Sequence, residues 1–243
     1  MQMRPGTKMA NNPRSKSGLW VVVPVKPFNE GKSRLAACIS PQQRHALNRE
    51  LLTRTLAAIN MAKIDAQIVV VSRDSNALTL AEQAGSHALT EESLPITTPL
   101  AHRGPASDRL PPSSCSPSDT DSEPQLNAAL TQAALYAAAR GATKILVLPT
   151  DMPNLTAEDV RTVASPRGLA PQIIIAPSRD GGTNALMLQP AQAIPFAFGR
   201  ASFQRHQRLA AAAGIPVHVI ESASLVFDVD LPEDYRHVFS CRS

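Results

Sequence analysis

The chain has 243 residues, 43% of them hydrophobic and only 4% aromatic, so its core is built from Ala, Val, Leu and Ile. Charged residues make up 18%, which argues against a coiled coil and against a chain disordered throughout. The net charge of +4 suggests an acidic partner, but Arg4, Lys8, Arg14 and Lys16 carry all of it; 24 basic residues less these four leaves 20 against 20 acidic ones.

Residues 1–17 are polar, basic and aperiodic and are read as a disordered tail. Leu19–Val25 (LWVVVPV) is a continuous apolar run, the pattern of a strand buried on both faces of a parallel sheet. Ser40-Pro41 starts a helix, with Ser as cap and Pro in the first turn; Leu47, Leu51, Thr55 and Ala58 mark its apolar face. Gln67–Ser72 is a second strand, and Ser75 caps a short helix that ends near Gly85. Residues 93–124 hold seven of the 21 prolines, seven serines and no aromatic residue, a composition read as a mobile insertion. Gln125–Arg140 is an Ala-rich helix stopped by Gly141. Lys144–Leu148 is a third strand, Thr156 opens a helix, and Gln172–Ala176 and Ala185–Leu188 are strands four and five. Ser202 caps a helix through Ala213. Val217–Ile220 and Leu225–Val229 are read as late strands, and Pro232 starts a terminal helix. Strands alternating with helices predict right-handed βαβ units and a mostly parallel sheet.

Exclusions narrow the chemistry. Three widely spaced cysteines without a CxxC pair, Cys38, Cys115 and Cys241, form neither a disulfide framework nor a zinc site, which suits a reducing cytoplasm. Cys38 reads as a core residue. No apolar run reaches the ~18–20 residues that span a membrane, and the N-terminal stretch lacks a secretory apolar core. The six histidines are scattered, outside metal-ligand spacing, and read as surface or helix residues.

Five segments carry chemistry. Residues 24–35 follow the first strand and place Lys26, Lys32 and Arg34 where open α/β sheets bind ligands, either a set of cations suited to a polyphosphate or an ordinary basic surface loop. Gly31-Lys32-Ser33 is not a P-loop, because Lys26 stands where that loop needs glycine. Asp151 lies between Pro149 and Pro153 just past the third strand, a rigid carboxylate suited to a hard cation such as Mg²⁺ or to a turn cap. Asp228 and Asp230 point the same way if their segment is a strand, and repel unless a cation sits between them; alternatively Asp230 caps the next helix. Residues 176–185 contain Gly181-Gly182, which admits close backbone approach to a ligand or forms a plain tight turn. Residues 196–203 place Gly199 before a helix start, an anion site or a packed loop.

Together the stretches VVPVKPFNEGKSRLA, VLPTDMPNLTAEDV, IIIAPSRDGGTNALML, PFAFGRASFQRH and FDVDLPEDY resemble the guanylyltransferases that activate a small phosphorylated three-carbon acid for biosynthesis of the deazaflavin coenzyme F-420. The resemblance runs from Trp20 to Val238, apart from the insertion. It implies an α/β, single-domain Rossmann-like nucleotidyltransferase fold of glycosyltransferase-A type over residues 18–243, with a mixed, mostly parallel seven-stranded sheet. It also implies roles. Asp151, Asp228 and Asp230 correspond to Mg²⁺ ligands. Lys26, Lys32 and Arg34 correspond to the catalytic basic loop over the GTP phosphates. Thr183, Gly199 and Ser202 correspond to the grip on the phospho-acid, and Ser72, Arg73 and Asn127 to the nucleoside pocket. A Gly-rich stretch that precedes the Asn127 helix in the family is replaced here by the insertion.

The expected partners are GTP, a phosphorylated three-carbon acid and a downstream enzyme of the same pathway, in the cytoplasm, with no nucleic acid and no membrane. Among acceptors the reading leans to 3-phospho-D-glycerate or phosphoenolpyruvate over 2-phospho-L-lactate. Two alternatives stand: a sugar-1-phosphate or molybdopterin nucleotidyltransferase of the same fold, and a non-catalytic nucleotide- or nucleic-acid-binding regulator that uses the basic tail.

Overall fold

A computed structural model describes residues 17–91 and 122–239. The predicted tail, apart from Ser17, most of the Pro/Ser-rich stretch, Cys115, Cys241 and His102 lie outside the described residues. Seven strands form one sheet: β1 (Leu19–Pro24), β2 (Ala66–Ser72), β3 (His87–Thr90), β4 (Lys144–Val147), β5 (Gln172–Pro177), β6 (Thr183–Gln189) and β7 (Val217–Val219). Their order is β3-β2-β1-β4-β6-β5-β7. Only β6 runs against its neighbours, β4 and β5; the other pairings are parallel.

The helices are α1 (Pro41–Ala62), α2 (Ser75–Gln83), α3 (Ser122–Ala138), α4 (Ala157–Ala164), α5 (Ser202–Ala212), α6 (Ala223–Val226) and α7 (Pro232–Phe239). Strand alternation divides the core. Val21, Val23, Leu146 and Ile174 pack with Leu52 and Leu56 of α1 and Val160 of α4. Trp20, Val22, Ile145 and Val147 point to the other face and pack with Leu130 and Ala133 of α3. A smaller cluster joins Leu35, Leu47 and Leu51 to Val229 and to Tyr235 of α7.

Local capping explains several boundaries. The Ser40 hydroxyl accepts from Gln43 N–H, and the Gln43 side chain accepts from Ser40 N–H, a reciprocal box before Pro41. Thr156 and Asp159 form the same arrangement at α4. Several expectations need correction. Asp74, not Ser75, caps α2, because its carboxylate accepts from Asn76 N–H. The helix predicted from Gln125 begins at Ser122, so residues 122–124 belong to α3; Pro124 sits in the first turn, where no helical donor is lost. Cys38 is exposed, with its thiol on the Leu35 carbonyl, rather than in the core. β3 went unread because His87–Leu89 are only half-buried and lack an apolar run.

The expected strand over Leu225–Val229 does not form. Residues 223–226 make the short helix α6, and the following chain contributes a single backbone bond, Val229 N–H to the Asp151 carbonyl at 3.0 Å. That crossing lays the Phe227–Asp230 segment over the end of β4.

Candidate active site

The loop after β1 is folded tightly enough to reverse a lysine. Pro27 O accepts from both Glu30 N–H and Gly31 N–H. Buried Phe28 is held from two sides: its N–H donates to Asp74 Oδ2 at 2.8 Å, and its carbonyl accepts from Asn48 Nδ2 at 2.8 Å. Asn48 lies so close that a Cβ on Gly31 would stand 2.7 Å from its Nδ2 and would have to displace the amide that holds the Phe28 carbonyl. Lys32 then takes a left-handed backbone conformation at φ 57°.

That turn sends the Lys32 side chain inward until only 5% of it is exposed. Its ammonium lies 2.5 Å from Asp151 Oδ1 and 3.0 Å from Asp230 Oδ1. Burial disfavours the ammonium, but the Asp151 and Asp230 charges outweigh it and hold its pKa above the ordinary lysine value. The other two predicted cations do not join it. Lys26 and Arg34 are exposed, although the Arg34 charge is felt by Asp180.

Asp151 and Asp230 meet on Lys32 through the loop crossing described above rather than by strand alternation, and Asp228 lies near enough to feel both charges without joining them in a three-carboxylate cluster. Asp228 is the buried member, 9% exposed. Burial first, then the charges of Asp230, Asp151 and Asp180, push its pKa up to about 6. Arg179 approaches Asp228 Oδ1 at 3.6 Å but is closer to Asp234, at 2.9 Å. The Asp234 carboxylate also accepts from Asp230 N–H at 3.1 Å and Leu231 N–H at 2.8 Å. It therefore caps α7 from within the helix, and Asp230 is free to hold Lys32.

On the β5–β6 side, the Asp180 carboxylate accepts from the Ser178 hydroxyl and from Gly182 N–H. Those bonds brace the turn that leads to Thr183. Thr183, Gly199 and Ser202 come together as predicted residues. The Ser202 hydroxyl donates to Thr183 Oγ1 at 3.0 Å, and Ser202 N–H bonds the Gly199 carbonyl at 3.1 Å. Ser202 is the first residue of α5 and not its cap; Ala201 holds that position at φ 53° without a side-chain bond. Phe203 N–H to Gly181 O, 3.2 Å, ties the helix start to the same turn.

The three residues expected at the nucleoside pocket are used in different ways. Ser72 is fully buried, and its Oγ accepts from Asp74 N–H at 3.0 Å. Asn127 uses its amide on Phe198: Nδ2 donates to the Phe198 carbonyl at 3.1 Å, and Oδ1 accepts from Phe198 N–H at 2.8 Å. Arg73 pairs with Glu30 at 2.9 Å and lines a cleft of about 460 Å³ with Asn29, His45 and Asn76.

Among the described residues no three Asp, Glu, His or Cys side chains stand close enough to enclose a metal ion. The donor chemistry nevertheless fits a hard divalent cation shared with a phosphate ligand. Mg²⁺ is commonly held by one or two carboxylates plus substrate oxygens, not by an all-protein cage. Asp151 and Asp230 offer half-exposed carboxylates, and the mutual repulsion recorded in Asp228 is relieved by added positive charge.

Sequence reasoning missed Arg179, Asp180, Asp234 and His206. His206 was within reach of a pattern, because it lies one helical turn after Ser202 and so shares its face.

The mixed, mostly parallel sheet in this order is an α/β, Rossmann-like fold, and it carries acids, a buried cation and a hydroxyl pair at one end. Two solved structures share the fold at low identity. CMP:2-keto-3-deoxy-manno-octonic acid synthetase covers 92% of this chain and 97% of its own, with TM-score 0.54 and 12% identity. The 4-diphosphocytidyl-2C-methyl-D-erythritol synthase of Anaerococcus prevotii covers 90% and 93%, with TM-score 0.50 and 9% identity.

The sequence is more specific. The family described as guanylyl transferase CofC like matches residues 19–102 and 118–241, and the chain belongs to that family. Phosphoenolpyruvate guanylyltransferases of Rubrobacter xylanophilus and Sphaerobacter thermophilus are each 33% identical; the alignments cover 89% of this chain and 91% and 90% of theirs. The 2-phospho-L-lactate guanylyltransferase of Methanothermobacter thermautotrophicus is 29% identical, over 89% of this chain and 82% of its own. The protein is a guanylyltransferase, which leaves the regulator reading without support. Among the described residues no helix is long and apolar enough to cross a membrane.

Proposed function

We propose that the protein transfers GMP from GTP to the phosphate of a small phospho-acid and releases pyrophosphate. The observation that carries this is the pairing, at one sheet end, of the Lys32–Asp151–Asp230 cluster with the Thr183–Ser202 hydroxyl pair. The first suits a nucleoside triphosphate and its metal; the second suits an ionised acceptor.

The chemistry closes without a general base. A phosphate oxygen of the acceptor, already ionised near neutral pH, attacks the α-phosphorus in line, a P–O bond forms, and the bond to the bridging oxygen breaks with its electron pair leaving on pyrophosphate. The protein contributes positioning and charge neutralisation. Lys26 and Arg34 are exposed and available to the triphosphate, and Lys32 sets the geometry of the two half-exposed aspartates. Asp151 and Asp230 would hold Mg²⁺, with the charge of buried Asp228 behind them, and the ion would supply neutralisation of the charge gathering on the leaving group. Thr183, Gly199 and Ser202 hold the acceptor. Arg73 and its cleft are the part of the expected nucleoside pocket open to a ligand; Ser72 supports it through its bond to Asp74, and Asn127 holds the Phe198 peptide.

For the acceptor, the names of the relatives support phosphoenolpyruvate first, with 2-phospho-L-lactate and 3-phospho-D-glycerate to be compared directly. The reading carries with it a cytoplasmic setting in coenzyme F-420 biosynthesis, where a downstream enzyme takes the activated product. It treats residues 18–243 as one catalytic domain, 1–17 as a tail and the Pro/Ser-rich segment near 93–124 as an insertion. Incubation of the protein with GTP, Mg²⁺ and each acid, followed by mass analysis, tests it. A product containing GMP joined to one acid, with matching pyrophosphate, is expected. Absence of any such product with all three acids rejects the reading.

A further inference from the structure

We infer that His206, buried behind the acceptor grip, is a positioning residue that makes the Thr183 hydroxyl a hydrogen-bond donor to the acceptor anion. This rests on the proposed function for the identity of the acceptor, but its hydrogen-bond argument stands on geometry alone.

His206 is 1% exposed and lies on α5, its ring edge-on to Phe198 with centroids 5.0 Å apart. Its Nε2 is 3.1 Å from the backbone nitrogen of Ala197. A backbone N–H can only donate, so Nε2 presents a lone pair. Burial, then the nearby Arg205 charge, push the imidazole pKa down to about 4, so the ring is neutral. A neutral ring with a bare Nε2 carries its proton on Nδ1.

Nδ1 lies 3.1 Å from Thr183 Oγ1 and donates to it. The Ser202 hydroxyl donates to the same oxygen at 3.0 Å. A hydroxyl oxygen has two lone pairs, and both are now filled. The Thr183 proton is therefore left for a third partner. Thr183 is the first residue of β6, at the sheet end shared with Asp151, and it follows the turn braced by Asp180. A group that can only donate there matches a carboxylate or phosphate oxygen, which can only accept. The opposite tautomer would let Thr183 spend its proton on Nδ1.

The arrangement is braced from a third element. Asn127 on α3 grips both the N–H and the carbonyl of Phe198, fixing the peptide next to the Ala197 N–H that sets the tautomer. The chain of contacts thus runs from α3 through the 196–199 loop to His206 and Thr183.

Two substitutions and one spectrum test this. His206→Asn can keep an amide N–H near the Nδ1 position, whereas His206→Gln reaches toward Ala197 and loses the donor to Thr183. His206→Gln is expected to raise KM for the phospho-acid about tenfold or more, with KM for GTP little changed, and His206→Asn to recover most of that loss. Equal rises in both KM values that follow a fall in Tm, without recovery by His206→Asn, would show a merely structural histidine and overturn the proposal. Nitrogen-15 NMR of the His206 ring in the full chain near pH 7 is expected to show a protonated Nδ1 and a bare Nε2. An Nε2–H tautomer overturns the proposal even if either variant fails to fold. Absence of transfer to any phospho-acid in the wild-type protein, with the Nδ1–H tautomer present, would instead locate the failure in the assigned acceptor.

Discussion

Lys32 and Asp151 are 119 residues apart in the chain, and their charged atoms are 2.5 Å apart in the structure. Asp230 meets the same ammonium from a third loop. Lys32 therefore joins the β1, β4 and α7 ends of the site through one charge.

Replacing that charge tests its role. Lys32→Met leaves Asp151 and Asp230 facing each other without a counter-ion. We expect kcat/KM to fall by roughly 100-fold or more, with a stability loss of only about 1–2 kcal/mol because both partners are half-exposed to water. Steady-state kinetics beside thermal melts measure the two effects. Near-normal turnover would remove Lys32 from the machinery.

Asp151 separates function from fold still more sharply. Its side chain bonds Lys32, while its backbone carbonyl holds Val229 and survives any substitution. Asp151→Ala should lower the rate by on the order of 100-fold or more while Tm moves by a few degrees. Full pyrophosphate release by this variant would sink the metal assignment.

Asp228 predicts a pH dependence of stability in protein kept free of divalent metal. Its folded pKa of about 6 is above the ordinary 3.8, so the folded state binds the proton more tightly than the unfolded chain. The sign follows: this residue makes stability fall as pH rises from about 4 to about 6, by on the order of 2–3 kcal/mol in all. Asp228→Asn should flatten that limb in denaturant titrations. A wild-type limb identical to that of Asp228→Asn contradicts the assignment.

Gly31 controls the loop that delivers Lys32. A methyl group there would meet Asn48, which holds the Phe28 carbonyl. Gly31→Ala should cost about 1–3 kcal/mol and weaken catalysis together with stability. Unchanged melting and unchanged kcat/KM would show that the loop yields at no cost.

The basic tail should be dispensable. Removal of residues 1–16 keeps Ser17, whose N–H bonds Asp65 at 2.9 Å. Activity is expected to persist at wild-type level. Polyanion binding with a steep salt dependence, lost together with activity on truncation, would restore the regulator reading.

Much of the fold was legible because its signals are local. Apolar runs such as residues 19–25 and 144–148 identify strands buried on both faces, and Ser40-Pro41 and Thr156 identify helix starts through bonds made within four residues. The half-buried edge strand β3 was missed because it lacks a local apolar run, and the short helix α6 because the apolar stretch from Leu225 reads as a strand.

The sequence by itself determined the alternating α/β class and the family, and the family resemblance singled out the aspartates with Thr183, Gly199 and Ser202. Only the tertiary structure decided how each side chain is spent. Lys32 turns inward while Lys26 and Arg34 stay out; Asn127 holds a peptide; Asp234 caps a helix so that Asp230 can bind a cation; His206 orients a hydroxyl. The physical reason is distance along the chain. Strand and helix signals depend on neighbours a few residues away, whereas a hydrogen-bond partner 70 or 120 residues away depends on sheet order and loop crossing, which no local pattern encodes.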